Sequence, residues 1–217
     1  METANQNNRK EDKTMGNPCV CKPGEIVQLA GIDFMVLEDL TPFNGDGDEH
    51  DLFVLAVDSQ GTSRFGDTNN YAESDLRKAT EKWLTEKLYD HGCNPDYIKS
   101  RKLDLTTLDG YKGYGELDVK AAPLTLDEAR RCAELMPNPD TASWLATGWE
   151  GPGDGAADAL LVDANGYWSG NYCSHGGYAI RPALVVSSFL FTSIELDLSK
   201  VPTEDLLGEL RRRIGEE

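Results

Sequence analysis

The chain has 217 residues, of which 38 are acidic and 21 are Lys or Arg, giving a formal net charge of −17 at pH 7. Nucleic-acid backbones and anionic membranes are bound through Lys and Arg, so this charge argues against direct binding to either. No run of about 18 apolar residues occurs in the sequence, which therefore predicts no membrane span. The length predicts one folded domain with terminal segments.

The N-terminal segment is predicted to be a disordered tail. Residues 1–18 are polar throughout and lack the apolar region of a secretory signal, and Met15 is an alternative start within them. The folded domain is expected over residues 19–198, followed by a C-terminal helix or tail over 199–217. We expect a cytoplasmic protein, or one assembled into a particle from the cytoplasm.

Three short strands are predicted before the first helix. Each is a run of apolar and β-branched residues bounded by turn-forming residues. The three runs are residues 26–30, 32–37 and 52–57. Gly31 separates the first two runs.

An acidic, turn-like segment lies between the second and third of these strands. It extends from Asn44 to Asp51, and side chains with oxygen atoms alternate at its start. That alternation begins like a calcium loop, but the sixth and twelfth positions, which should be Gly and Glu, are Glu49 and Leu55. We predict no cofactor, and keep as an alternative weak calcium binding here or at Asp154, Asp158 and Asp163.

Two helices are predicted in the middle of the chain. Ser74 is the expected N-cap of the first, whose apolar side chains recur at helical spacing, and Gly92 is its C′ residue. The second begins with a capping box of Thr125 and Glu128 and is expected to end at Pro137. Its predicted inner face consists of Ala129, Cys132, Ala133 and Met136.

The C-terminal half predicts β-structure with long loops. The candidate strands are residues 143–147, 159–163, 166–169, 178–187 and 190–198. Because the helices come early and most strands come late, we predict an α+β fold with two main helices and one twisted antiparallel sheet.

The cysteines do not form a catalytic or metal-binding motif. There are five, an odd number, and Cys19 and Cys21 lack a second pair at zinc-site spacing. Cys173 and His175 flank Ser174, but residues two positions apart seldom form the hydrogen bond of a nucleophile with its base. We therefore predict that the chain is not an enzyme.

The segment from residue 165 to residue 178 is rich in Tyr, Trp, Ser, Gly and Asn. Recognition loops favour these types, because they combine rigid contact area with adaptable hydrogen bonding. The predicted ligand-binding residues are Trp149, Tyr167, Trp168, Asn171, Tyr172, Ser174 and His175. The alternative is a turn region whose aromatic side chains belong to the core, as is expected for Trp144.

Several short motifs follow one another within residues 24–190. They are Ser74-Asp75-Leu76-Arg77 with Trp83-Leu84, Leu124-Thr125-Leu126-Asp127-Glu128-Ala129, Ser143-Trp144-Leu145-Ala146-Thr147-Gly148, Asn165-Gly166, and Ala179-Ile180-Arg181-Pro182-Ala183-Leu184. Their order and spacing resemble an uncharacterised bacterial and phage domain family of unknown function. The chain departs from it at Ala146-Thr147, where the family has Arg-Ser-Pro, and in its longer segment 44–51.

That family is similar, in its closing strands, to the C-type-lectin-like fold. This fold is shared by sulfatase-modifying (formylglycine-generating) enzymes and by the variable tropism proteins of phage retroelements. The resemblance implies a C-type-lectin-like domain whose ligand surface lies just before the Arg181-Pro182 strand. The enzyme branch uses a cysteine pair near its end, whereas Cys173 is the only cysteine after Cys132 here.

The leading functional hypothesis is a non-enzymatic binding module for a protein or glycan ligand, of the kind that phages or mobile elements encode. One alternative is an acidic intracellular inhibitor that mimics nucleic acid and binds a basic protein. The other is a sulfatase-modifying-like enzyme, whose activity would depend on Cys173.

Overall fold

The computed structural model describes residues 21–41 and 50–191. The predicted tail, most of the acidic segment, most of the last predicted strand and the C-terminal helix lie outside these residues. Within the two described ranges, no helix is long and apolar enough to cross a membrane.

The described residues form short strands and two α-helices. The strands are β1 (Ile26–Leu29), β2 (Ile32–Asp39), β3 (Asp51–Ala56), β4 (Thr62–Ser63), β5 (Ile98–Lys99), β6 (Arg101–Asp104), β7 (Glu116–Val119), β8 (Ala121–Ala122), β9 (Ser143–Gly148), β10 (Asp158–Val162), β11 (Trp168–Tyr172), β12 (Tyr178–Ala179) and β13 (Ala183–Ser187). The helices are α1 (Asp75–Trp83), which continues as a π-helical segment (Leu84–Tyr89), and α2 (Leu126–Arg131). Short 3₁₀ segments are Tyr71–Glu73, Pro95–Tyr97, Asp154–Ala157 and Ser188–Phe191.

These strands form two sheets and a separate hairpin. The larger sheet has the order β1-β2-β3-β13-β5, and β8 also pairs with β13. The smaller sheet has the order β11-β10-β9-β12-β4, and β6 pairs with β7 alone. The pairs are antiparallel except for β12 with β9, which is parallel. The prediction of a mixed α+β fold is confirmed, but the prediction of one antiparallel sheet is wrong.

The first helix agrees with the local sequence signals. The Ser74 hydroxyl accepts a hydrogen bond from the Arg77 amide at 3.0 Å, as expected of an N-cap. Gly92 has a positive φ of +90° beyond the helical segment, a conformation that glycine adopts without steric cost. Local capping chemistry therefore fixes both ends of this helix.

The second helix is shorter than predicted. The capping box of Thr125 and Glu128 is present, but α2 has only six residues and ends at Arg131. The Cys132 carbonyl then accepts hydrogen bonds from the amides of both Leu135 and Met136, so the chain turns instead of continuing the helix. This turn packs Leu135 and Met136 against the core and leaves Ala133 exposed. The prediction of two main helices is therefore wrong, because α2 is less than two turns long.

Trp144 lies at the centre of one of three apolar clusters. Its ring is fully buried and meets the rings of Phe65 and Tyr178 edge-on, at centroid distances of 5.6 and 4.8 Å. Its indole nitrogen donates a 2.9 Å hydrogen bond to the Ser63 carbonyl. The prediction that Trp144 belongs to the core is confirmed.

The predicted strand 178–187 divides between the two sheets. β12 belongs to the smaller sheet and β13 to the larger one, and residues 180–182 cross between them. The backbone of Ile180 bonds with Gly61 and Gln60, and the Pro182 carbonyl accepts a bond from the Ala56 amide. Because proline has no N–H to donate, a strand cannot continue unbroken through Pro182 in the middle of a sheet.

The buried side chain of Arg181 stabilises this crossing between the two sheets. It is 4% exposed, and its guanidinium donates 2.8 Å hydrogen bonds to the carbonyls of Ala56 and Pro137. Burial lowers the pKa of Arg181 to about 10, which leaves the group charged at neutral pH. The buried cation thus ties the crossing to the end of β3 and to the turn that follows α2.

Candidate functional site

The predicted recognition segment forms the second strand of a hairpin at the edge of the smaller sheet. The turn between β10 and β11 places Gly166 at a φ of +83°. The Asp163 carboxylate accepts hydrogen bonds from the amides of Asn165 and Tyr167 at 2.8 and 2.9 Å. Asp163 therefore stabilises the turn, which holds β11 in register along β10.

The side chains of β11 alternate between two faces of the hairpin. Successive side chains of a strand point to opposite sides, so Trp168, Gly170 and Tyr172 share one face. Ser169 and Asn171 lie on the other face. The ligand-binding residues predicted from the sequence are thus divided between two surfaces.

Trp149, which directly follows β9, adds its side chain to the face that Trp168, Gly170 and Tyr172 share. A Cβ added to Gly170 would lie 2.5 Å from Cε3 of Trp149, so the indole ring occupies the space that a side chain at Gly170 would need. Trp149 is 40% exposed, Trp168 38% and Tyr172 65%. We call these three residues around Gly170 the aromatic surface.

A cation lies at one end of the aromatic surface. The Arg130 guanidinium, on α2, is 5.8 Å from the centre of the Trp168 ring. Arg130 also forms an exposed ion pair with Asp127 at 3.4 Å. A cation over an indole face is a favourable contact that keeps both groups extended at the surface.

The opposite face of the hairpin is more polar and more internally bonded. The Asn171 side-chain amide donates a hydrogen bond to the hydroxyl of Tyr178. The His175 ring stacks on Tyr178 at 4.5 Å, and its Nδ1 accepts a bond from the Gly177 amide. Asn171 and His175 therefore lie away from the aromatic surface, whereas Ser174 is exposed in the turn that follows β11.

Tyr167 stands at the tip of the hairpin and is 72% exposed. Its carbonyl accepts a hydrogen bond from the Asp163 amide. By strand alternation its side chain belongs to the face opposite Trp168. Tyr167 therefore borders the aromatic surface without being part of it.

Two further exposed apolar residues, Leu108 and Tyr111, lie in the loop after β6, which is fixed beside Trp149. The amides of Leu108 and Asp109 bond to the carbonyls of Gly148 and Trp149, which fixes the loop after β6 against the end of β9. Leu108 is 39% and Tyr111 38% exposed. The Gly- and Tyr-rich composition of residues 110–115 is the sequence signal that indicates this loop.

Cys173 is unsuited to nucleophilic catalysis. It is 1% exposed, and its burial, with a smaller contribution from the charge of Asp158, raises its pKa to about 12. The thiolate is the reactive form of cysteine, so a thiol with this pKa is a poor nucleophile at neutral pH. The geometry does not favour the cysteine-dependent enzyme hypothesis.

We expect Cys173 to resist alkylation in the folded protein. At pH 8 a pKa of about 12 leaves roughly one thiolate in 10,000, and the side chain is also shielded. Iodoacetamide labelling followed by peptide mass spectrometry should give a rate at Cys173 at least about 1,000-fold below that in urea. A native rate within tenfold of the unfolded rate would contradict this and support a reactive cysteine.

A cleft of about 290 Å³ lies elsewhere, between β6, β13 and α2. Its Lys and Arg side chains are already paired: Arg101 with Glu128, Lys102 with Glu116, and Arg131 with Glu38. Among the side chains that the structure describes, no cluster of three or more His, Cys, Asp or Glu residues could hold a metal ion. Of the eight exposed large hydrophobic residues in the described part of the chain, four lie in or beside the β10–β11 hairpin: Trp149, Tyr167, Trp168 and Tyr172.

No protein-family model, curated protein or solved structure matches this chain. The family resemblance in the sequence therefore stays a hypothesis.

Proposed function

We propose that this chain is a non-enzymatic recognition module that binds a protein ligand through the aromatic surface of Trp149, Trp168 and Tyr172. The observation that carries the proposal is the row of three exposed aromatic side chains around Gly170 on an edge hairpin. Isolated exposed apolar residues are ordinary, but a contiguous group on one surface is typical of an interaction site.

The chemistry of this surface favours a protein ligand over a small molecule. Small molecules are usually bound in concave pockets that enclose most of their surface, whereas the aromatic surface is an open face. Trp, Tyr and Arg are the residues that most often dominate the energy of protein interfaces, and Arg130 lies beside Trp168. The net charge of −17 further favours a basic partner, which it would attract at long range.

A C-type-lectin-like fold remains part of this proposal. It is supported by the position of the aromatic hairpin, which directly precedes the Arg181-Pro182 crossing, as the resemblance implies. The α+β architecture and the long connections between short strands are compatible with that fold.

The first test locates the partner by photo-crosslinking. Benzoylphenylalanine is placed at position 172, and, as a matched control, at Ile26, which is 57% exposed on β1. Host-cell extract should yield a protein that crosslinks at position 172 and not at position 26. Absence of such a site-dependent product would overturn the proposal.

The second test measures affinity with that partner in purified form. Trp168→Ala and Tyr172→Ala should each weaken binding by roughly 30-fold, because central aromatic contacts cost about 2 kcal/mol when truncated. Ile26→Ala should leave the affinity unchanged. Equal affinity of all variants would contradict the aromatic surface, and equal affinity together with a steep fall of affinity with salt would favour the nucleic-acid mimic instead.

A further inference from the structure

The outer edge of β11 is open. β11 is the last strand of the smaller sheet, so within the described residues no strand lies beyond it. Hydrogen bonds flank the β10–β11 pairing on both sides, from the Asp163 amide to the Tyr167 carbonyl and from the Cys173 amide to the Ala157 carbonyl. Antiparallel strands alternate between bonded and non-bonded pairs, so Ser169 and Asn171 bond to β10.

The same alternation directs the backbone groups of Trp168 and Gly170 away from β10. The backbone groups of Tyr172 also point away from β10, but both are already bonded. Its amide donates to the side chain of Asn171, and its carbonyl accepts from the His175 amide. The open edge therefore consists of the N–H and C=O groups of Trp168 and Gly170, which have the spacing that one strand presents to another.

This edge lacks the usual protection of exposed strands. Unpaired backbone groups at a sheet edge can pair with other chains, and Pro, Lys or a bulge in the edge strand commonly prevents this. The sequence of β11, Trp-Ser-Gly-Asn-Tyr, holds none of these residues, and its pairing with β10 has no register shift.

We propose that an extended segment of the protein partner pairs with the open edge of β11 and extends the smaller sheet by one strand. This inference rests on the proposed function, since alternate side chains of that segment would pack on the aromatic surface. Main-chain hydrogen bonds supply affinity in this mode of recognition, and alternate side chains supply specificity. The net charge of −17 favours a segment that carries Lys or Arg at the positions between those that pack on the aromatic surface.

A second copy of the chain is the competing occupant. Two β11 strands could pair about Gly170, but each copy carries the same charge of −17, which opposes self-association. Sedimentation velocity at micromolar concentration should show a monomer. A dimer in which the amides of Trp168 and Gly170 are protected from hydrogen exchange would overturn the proposal in favour of self-pairing.

The decisive probe is a peptide selected from a random 12-residue display library on the folded protein. We expect selected peptides to alternate apolar with basic or polar residues, and to bind Trp168→Ala and Tyr172→Ala at least about tenfold more weakly than wild type. Peptides that bind these variants as well as wild type would contradict both the inference and the proposed function.

An N-methyl scan of the best peptide then separates strand pairing from simple aromatic contact. Each N-methyl group removes one backbone donor. Methylation at alternate positions should weaken binding by about tenfold, while the intervening positions change it by less than about twofold. A peptide that needs the aromatic surface but shows no such alternation would overturn strand pairing and leave the proposed function intact.

Discussion

Replacing Trp144 with alanine is expected to lower the free energy of unfolding by about 4 kcal/mol, a large part of the stability of a typical domain. The indole is fully buried between Phe65 and Tyr178. Its removal leaves a cavity and also leaves the Ser63 carbonyl without its hydrogen-bond donor. Urea unfolding followed by circular dichroism measures the loss.

Two further variants test the source of that loss. Trp144→Phe keeps an aromatic ring but removes the indole donor, and should cost about 1–2 kcal/mol. Trp168→Ala is the matched control, because it deletes the same side chain from a position that is 38% exposed. A loss at position 168 as large as that at position 144 would contradict the assignment of Trp144 to the core and of Trp168 to the surface.

Arg101→Leu is expected to cost about 3–5 kcal/mol, the range for breaking a buried ion pair by removing one partner. The Arg101 guanidinium pairs with Glu128 and donates to the carbonyls of Ala122 and Pro123. It also lies over the Phe53 ring, 5.2 Å from its centre. Without it, the nearly buried Glu128 carboxylate loses its cationic partner and the two carbonyls lose a hydrogen-bond donor.

The control for Arg101 is its neighbour Lys102. Its ammonium pairs with Glu116, but both side chains are more than half exposed, so Lys102→Leu should change stability by less than about 0.5 kcal/mol. Adding Glu128→Leu to Arg101→Leu removes the unpaired carboxylate but also its capping bond from the Thr125 amide, so it should recover only part of the loss. Urea unfolding of all four proteins checks this, and equal losses at positions 101 and 102 would contradict it.

Local sequence signals predicted the ends of elements well where capping decides them. Ser74, Gly92 and the pair of Thr125 with Glu128 all take the expected roles. These signals depend on residues within one turn of one another, so they require no knowledge of the rest of the fold.

The end of α2 and the division of segment 178–187 between two sheets depend on long-range packing, and the sequence pattern did not predict them. α2 ends at Arg131, and the following turn packs Leu135 and Met136 against the core. Apolar periodicity cannot distinguish that turn from continued helix. The segment 178–187 is apolar on both sides of Pro182, so its pattern does not indicate that it passes from one sheet to the other.

The candidate site was predictable in composition but not in geometry. Its residue types indicated a recognition segment, yet the same aromatic residues on an inner strand would have been core. Trp168 and Tyr172 are exposed because β11 is an edge strand, and Trp149 joins them because Gly170 leaves room for its ring. Which strand lies at an edge depends on pairing across the whole sheet.

The place of β13 in the larger sheet governs when this protein can fold during its synthesis. β13 lies between β3 on one side and β5 and β8 on the other, so Leu184 stands opposite Val54, which is translated far earlier. Until β13 leaves the ribosome, β3 has an unfilled edge and the sheet remains in two parts. Contacts between such distant segments form slowly. We therefore expect the nascent chain to expose apolar strand surface until β13 has been translated, a condition that favours chaperone binding.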